Sequence, residues 1–137
     1  MRVESRARAR AMQALYAWEL RGGGADLVRA ANQLWDDLAV GVEERRFADR
    51  LLTAARDHLP ELDTQLGAVT SNWRLDRLGV VERSVLRLAA AELRLGATPP
   101  KVVLRESIRL AERYGSSDSA RFVNGVLDAL ARKAGRL

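Results

Sequence analysis

Arg2, Arg6, Arg10 and Gln13 recur at intervals of three and four residues at the start of the chain, the spacing that gathers side chains on one face of a helix. Guanidinium groups in such a row stand about 6 Å apart, close to the roughly 7 Å between phosphates on an extended strand, and each can grip a phosphate through paired N–H donors. Arg8 falls on the flank of the row. No Glu follows Arg2, Arg6 or Arg10 at four residues, so nothing on the helix itself neutralises them. The chemistry on offer is electrostatic capture of RNA or DNA; the bland alternative is a solvated helix face.

Bond-making chemistry has few residues to draw on. There is no Cys, and His58 is the single His, so thiolate nucleophiles, disulfides and a zinc site are excluded and no metal or other cofactor is expected. Gly22-Gly23-Gly24 lacks the Lys and Ser/Thr of a phosphate loop and reads as a flexible connector. Glu92 projects among apolar residues and needs a hydrogen-bonding or charged mate. No second acid, His or nucleophile is placed to work with it, which favours a structural role.

The charge distribution agrees with capture of a polyanion. The net charge is +5, made of +3 over residues 1–10, +4 over residues 101–137 and −2 between them. Basic ends and a slightly acidic centre suggest a polyanion held by the termini and a separate partner for the middle. Arginine that merely solubilises helix surfaces is the competing explanation.

Positioning these groups falls to helices. Only three Pro interrupt a chain of 137 residues rich in Ala, Leu and Arg, which predicts an all-α fold with a core that needs no staples. No run approaches 18 apolar residues, and residues 1–20 are Arg-rich without an apolar signal-peptide segment, so a cytoplasmic soluble protein is expected. The first helix is predicted over 3–20, with Ala7, Ala11, Ala14, Leu15 and Trp18 inward. Asp26 caps a second that runs to Gly41, and a third spans 42–58 and ends at His58. Pro60 separates residues 1–60 from 61–137. A short helix carries Leu62, Leu66 and Val69, with Trp73 behind it as a core residue. Then Leu78, Val81, Val85, Leu88, Ala89 and Leu93 form a stripe, with Glu82 at its edge. Gly96 ends that helix, Thr98 caps the next, and Pro99 takes its first turn. Arg105, Arg109 and Arg113 line its outer side, partly neutralised by Glu106 and Glu112. Gly115 closes it.

Residues 118–130 pose a choice. Asn124-Gly125 between apolar pairs has the form of a hairpin turn. Over the wider window Phe122, Val126 and Leu130 repeat every four residues, and the helix prevails on length. Asp118 is placed to cap it. Gly125 then sits mid-helix on the polar side with Arg121, Asp128 and Arg132, at a cost of about 1 kcal/mol relative to Ala, which suits a close approach by another helix or a ligand.

Five blocks, in order, resemble the NusB family of transcription antitermination factors. They are Arg6-Ala7-Arg8 with Gln13-Ala14-Leu15-Tyr16-Ala17-Trp18; Leu78-Gly79-Val80-Val81-Glu82-Arg83-Ser84-Val85-Leu86-Arg87; Ala91-Glu92-Leu93; Pro100-Lys101-Val102-Val103; and Asp118-Ser119-Ala120-Arg121-Phe122-Val123-Asn124-Gly125-Val126-Leu127-Asp128. The last is the most specific, and residues 25–72 carry little signature. The resemblance implies two small helical bundles, three helices then four or five, packed as one compact unit. It implies binding of the single-stranded boxA element of ribosomal RNA leaders together with NusE, a small-subunit ribosomal protein. The assembly is loaded on the RNA polymerase elongation complex and suppresses termination in rRNA operons.

Carried over by position, Arg6, Arg8 and Gln13 lie on the RNA face; Arg2 and Arg10 join it through the helical-face argument alone. Arg121, Phe122 and Asn124 are further RNA candidates, a cation beside an aromatic ring being suited to an unpaired base. Glu82, and more weakly Asp76, face NusE. Ala9 stands where an acid is common in the family. A homodimer covering the RNA face is compatible with all of this. NusB-like domains also precede the catalytic domain of some rRNA cytosine-5 methyltransferases, but a catalytic Cys and a cofactor loop are both missing from this sequence, so the alternative is the RNA-binding domain of such an enzyme as a fragment. A helical DNA-binding or scaffold protein is the third reading, and it predicts a preference for duplexes.

Overall fold

The computed structural model describes residues 2–70 and 78–136, and the expectations for Trp73 and Asp76 lie outside them. Seven helices occur among the described residues: α1 Val3–Leu20, α2 Leu27–Asp37, α3 Val42–Asp57, α4 Leu59–Val69, α5 Val80–Leu95, α6 Pro100–Tyr114 and α7 Ser117–Lys133. Helices α1–α3 pack on one another as the first bundle and α4–α7 as the second. Helix α5 belongs to both, since it also packs against α1 and α3. Its sequence explains why: Val85, Leu86, Leu88, Ala89, Ala90, Ala91 and Leu93 are all buried, so small and large apolar residues leave little of its circumference for water.

Local sequence accounts for most boundaries. Asp26 accepts from the Arg29 backbone N–H at 3.0 Å and starts α2. Helix α2 stops at Asp37, short of Gly41, because the chain turns at Ala39 with φ of 53°. Gly96 takes φ of 72° and ends α5 in the left-handed conformation that Gly tolerates. The start of α6 differs from expectation. Pro99, not Thr98, is the capping residue, with ψ of 137°, and Pro100 opens the helix. A residue preceding proline is driven out of the helical region, so Pro99 cannot belong to the first turn. At α7 the cap is Ser116, whose hydroxyl accepts from the Ser119 N–H at 3.1 Å, while Asp118 lies inside the first turn.

The glycine run after α1 is ordered by specific contacts. Gly22 and Gly23 have φ of 89° and 70°, their N–H groups bond to Glu19 and Trp18 carbonyls, and Trp18 Nε1 donates to the Ala25 carbonyl at 2.6 Å. Two consecutive left-handed residues reverse the chain over the Trp18 ring. Gly125 has the opposite character: a Cβ there meets nothing within 4 Å, so no part of the chain approaches it. Gly125→Ala is therefore expected to raise stability by about 1 kcal/mol, from helix propensity alone, as read from a urea melt. A loss of stability in that variant would contradict the open surroundings.

Candidate nucleic-acid interface

The arginines of α1 divide between two environments. Arg2 caps the helix and is exposed. Arg6 and Arg10 follow on the same face, with side chains 45% and 36% exposed. Their neutralising partner comes from another helix: Glu44 in the first turn of α3 receives Arg6 Nε at 2.5 Å and stands 3.8 Å from Arg10 Nε. Among the described residues, two guanidinium groups share the Glu44 carboxylate.

Arg8 points the other way. Its side chain is only 6% exposed, and it makes a paired contact with the Glu92 carboxylate, Nη2 to Oε2 at 2.7 Å and Nε to Oε1 at 2.9 Å. Its Nη1 reaches Glu106 Oε1 at 3.3 Å, and its guanidinium lies 5.1 Å from the Phe47 ring centre. Burial alone would lower the pKa of this group, but Glu92, by hydrogen bonding and charge, and Glu106 more than reverse that, leaving it above the ordinary arginine value. The expected flank position is thus an interior one, and the mate that Glu92 required is Arg8. Ser5 donates to Glu106 as well, so α1, α5 and α6 are joined around one charge cluster.

Gln13 also turns toward protein. Its amide donates to the Tyr114 hydroxyl at 2.7 Å, tying the middle of α1 to the last residue of α6. Farther along, Glu19 receives Arg83 Nε at 3.2 Å and also holds Arg87. Arg87 makes a two-bond contact with Asp63 on α4, both at 2.8 Å. On the other flank of α5, Glu82 accepts a hydrogen bond from Ser119 in the first turn of α7. The beginning of α5 is therefore fastened to the end of α1 on one side and to the start of α7 on the other. Glu82 is half-buried at that junction. The partner candidate Asp76 lies outside the described residues.

The three α7 candidates do not present equally. Arg121 is 79% exposed, with Asp118 at 3.5 Å; Asn124 is exposed. Phe122 is half-buried and packs against the core, so only part of its ring meets water. Helix α1 packs on α2, α3 and α5, it is joined to α6 by Ser5, Arg8 and Gln13, and α6 packs on α7. Sequence reasoning missed Glu44 as the partner of Arg6 and Arg10, and missed that Glu106 and Phe47 close on Arg8. Helical periodicity within one segment carries no signal for pairs 38 or 98 residues apart.

Among the described residues there is no group of His, Cys, Asp and Glu able to hold a metal ion, and no helix long and apolar enough to cross a membrane.

Comparison with known proteins bears on what this surface serves. The NusB family model matches residues 5–132. The transcription antitermination protein NusB of Anaeromyxobacter dehalogenans is 43% identical over 128 residues, covering 93% of this chain and 89% of that one. The structure of T. maritima NusB superposes with a TM-score of 0.87 at 33% identity, over 94% of this chain and 90% of that one. A crystal structure of the antitermination factors NusB and NusE in complex with double-stranded RNA gives a TM-score of 0.86 at 31% identity, over 97% of this chain and 98% of that one. With the family model matched from α1 into α7, and relatives of this identity aligned over nearly the whole length, the chain belongs to the NusB family.

Proposed function

We propose that this protein is a non-enzymatic RNA-binding adaptor that binds the boxA element of rRNA leader transcripts together with NusE, and so suppresses termination by RNA polymerase in rRNA operons. The observation that carries the reading is the exposed row of Arg2, Arg6 and Arg10 on α1, in a fold that matches a partner in an RNA complex. Arg8 is left out of the RNA face because its N–H groups are taken by two carboxylates inside the protein and its plane lies against the Phe47 ring. Gln13 supports the face from behind through Tyr114. Arg121, the accessible part of Phe122 and Asn124 supply a second contact, where a cation and an aromatic edge suit an unpaired base.

Glu82, with Asp76 as the weaker candidate, is proposed to meet NusE. Glu82→Lys is expected to lower NusE capture at least tenfold and to cost about 1 kcal/mol of stability through the lost bond to Ser119. Glu82→Gln keeps an acceptor for Ser119 and separates the two effects. Normal capture by Glu82→Lys would remove this residue from the interface.

Binding is tested by titrating the protein, with and without NusE, against a boxA single strand, the same sequence as a duplex, and a scrambled strand. The expected order puts the boxA single strand first, with tightening by NusE and a steep loss of affinity with salt. The solved relative holds double-stranded RNA, so the duplex arm is a real competitor: tighter duplex binding would overturn the single-strand reading. A homodimer covering the arginine row would show as RNA affinity that falls with protein concentration.

A further inference from the structure

Beside the α1 row lies a groove of about 710 Å³, formed by the start of α1, by α3, and by the loop and first turns of α6. Its rim carries Arg2, Arg50, Arg105 and Arg109 against Glu4. Among the described residues, Arg2, Arg50 and Arg105 have no ion-pair partner; Arg50 lies 5.5 Å from the Phe47 ring centre, and Arg109 has Glu106 Oε2 at 3.6 Å. Sequence spacing alone assigns Glu106 and Glu112 to neutralise the α6 row. In the fold Glu106 turns inward and is largely spent on Arg8 and Ser5, and Glu112 is exposed without an ion pair among the described residues.

We propose that this groove is a second, sequence-independent RNA subsite, in which phosphates flanking the boxA element pass from the α1 row across to Arg105 and Arg109 of α6. The inference rests on the α1 row being the RNA face. The floor of the groove selects a strand over a lone anion. There the one buried guanidinium, Arg8, is already bound to Glu106 in the groove wall and to Glu92 behind it, so a phosphate driven to the bottom finds no unpaired cation. The more accessible cations stand on the rim, where a chain of phosphates can bridge them. Lys101, Arg105 and Arg109 recur every four residues, which sets about 6 Å between successive charges on α6, again near phosphate spacing. Arg2 belongs to both rows and forms the corner between them.

The test measures binding of the intact chain to three probes at one salt concentration: a minimal boxA single strand, the same strand lengthened at either end by about ten uridines, and oligouridylate of about twenty nucleotides. Lengthening at one end is expected to tighten wild-type binding about tenfold. Arg105→Gln/Arg109→Gln should remove that gain and weaken oligouridylate binding to a similar degree, while leaving the minimal boxA affinity within about twofold. Arg6→Ala/Arg10→Ala should instead weaken the minimal strand. If neither extension adds affinity, or if Arg105→Gln/Arg109→Gln keeps the gain, the subsite is refuted. Unchanged RNA binding with reduced NusE capture would assign the row to protein and refute it equally. Failure of the wild type to prefer boxA, with Arg105-dependent oligouridylate binding retained, would refute the boxA reading and leave the groove standing.

Discussion

An Arg8→Met variant is expected to lose about 3–5 kcal/mol of stability, because removing one member of a buried ion pair strands the charge of the other. In this protein two carboxylates are stranded, Glu92 almost fully enclosed and Glu106 left with Ser5 and Arg109. Adding Glu92→Leu should restore most of the stability, as apolar replacement of a whole buried pair is commonly neutral or better. Denaturant midpoints of the two variants and the parent check this. The double variant has a second use. If Arg8 acts only by fixing how α1 rolls against α5 and α6, Arg8→Met/Glu92→Leu binds RNA within about twofold of the parent, whereas a phosphate-contacting Arg8 would cost roughly tenfold. A single variant that melts with the parent would show that the Arg8–Glu92 contact contributes little.

Arg6→Ala/Arg10→Ala should weaken RNA binding by roughly 10- to 100-fold and lower the salt slope by about 1.4, the counterion term for two phosphates on a single strand. Stability should change by about 1 kcal/mol or less, since the ion pairs to Glu44 are partly exposed and screened. Glu44 gives the complementary result. Its carboxylate competes with phosphate for both groups, so Glu44→Gln is expected to tighten RNA binding a few fold and to steepen the salt dependence. Filter binding or fluorescence anisotropy across a salt series measures all three variants. A double variant with unchanged affinity would take the α1 row out of the RNA face, and a Glu44→Gln variant with weakened binding would mean that Glu44 organises the row and does not compete with RNA.

These two expectations draw on different kinds of information. The exposed row at Arg2, Arg6 and Arg10 was legible because helical phase depends only on separation along one segment. The same logic gave the inward face of α5, the outer arginine row of α6 and the helical reading of Asn124-Gly125, where the long apolar repeat outweighs a two-residue turn signal. It could not place Arg8, which sits between the exposed row and the buried Ala7 and Ala11. Nothing local distinguishes a flank arginine in water from one enclosed by Glu92 and Glu106, 84 and 98 residues away. Cap positions at Thr98 and Asp118 failed for a smaller reason. Neighbouring residues, Pro99 and Ser116, take that role instead, and the winner depends on backbone angles set by the following turn.

The order of residues alone thus determined seven segments of helix, their apolar faces and a surplus of positive charge at both ends, because each of these follows from spacing within a segment or from counting charges. Which cations remain available was decided by the tertiary structure. Packing α3 against α1 gives Arg6 and Arg10 a shared carboxylate in Glu44. Packing α5 and α6 against α1 consumes Arg8, turns Glu106 inward and leaves Arg105 without an ion pair among the described residues. A charge is neutralised by whatever lies within a few ångströms, and for these residues those neighbours come from distant parts of the chain.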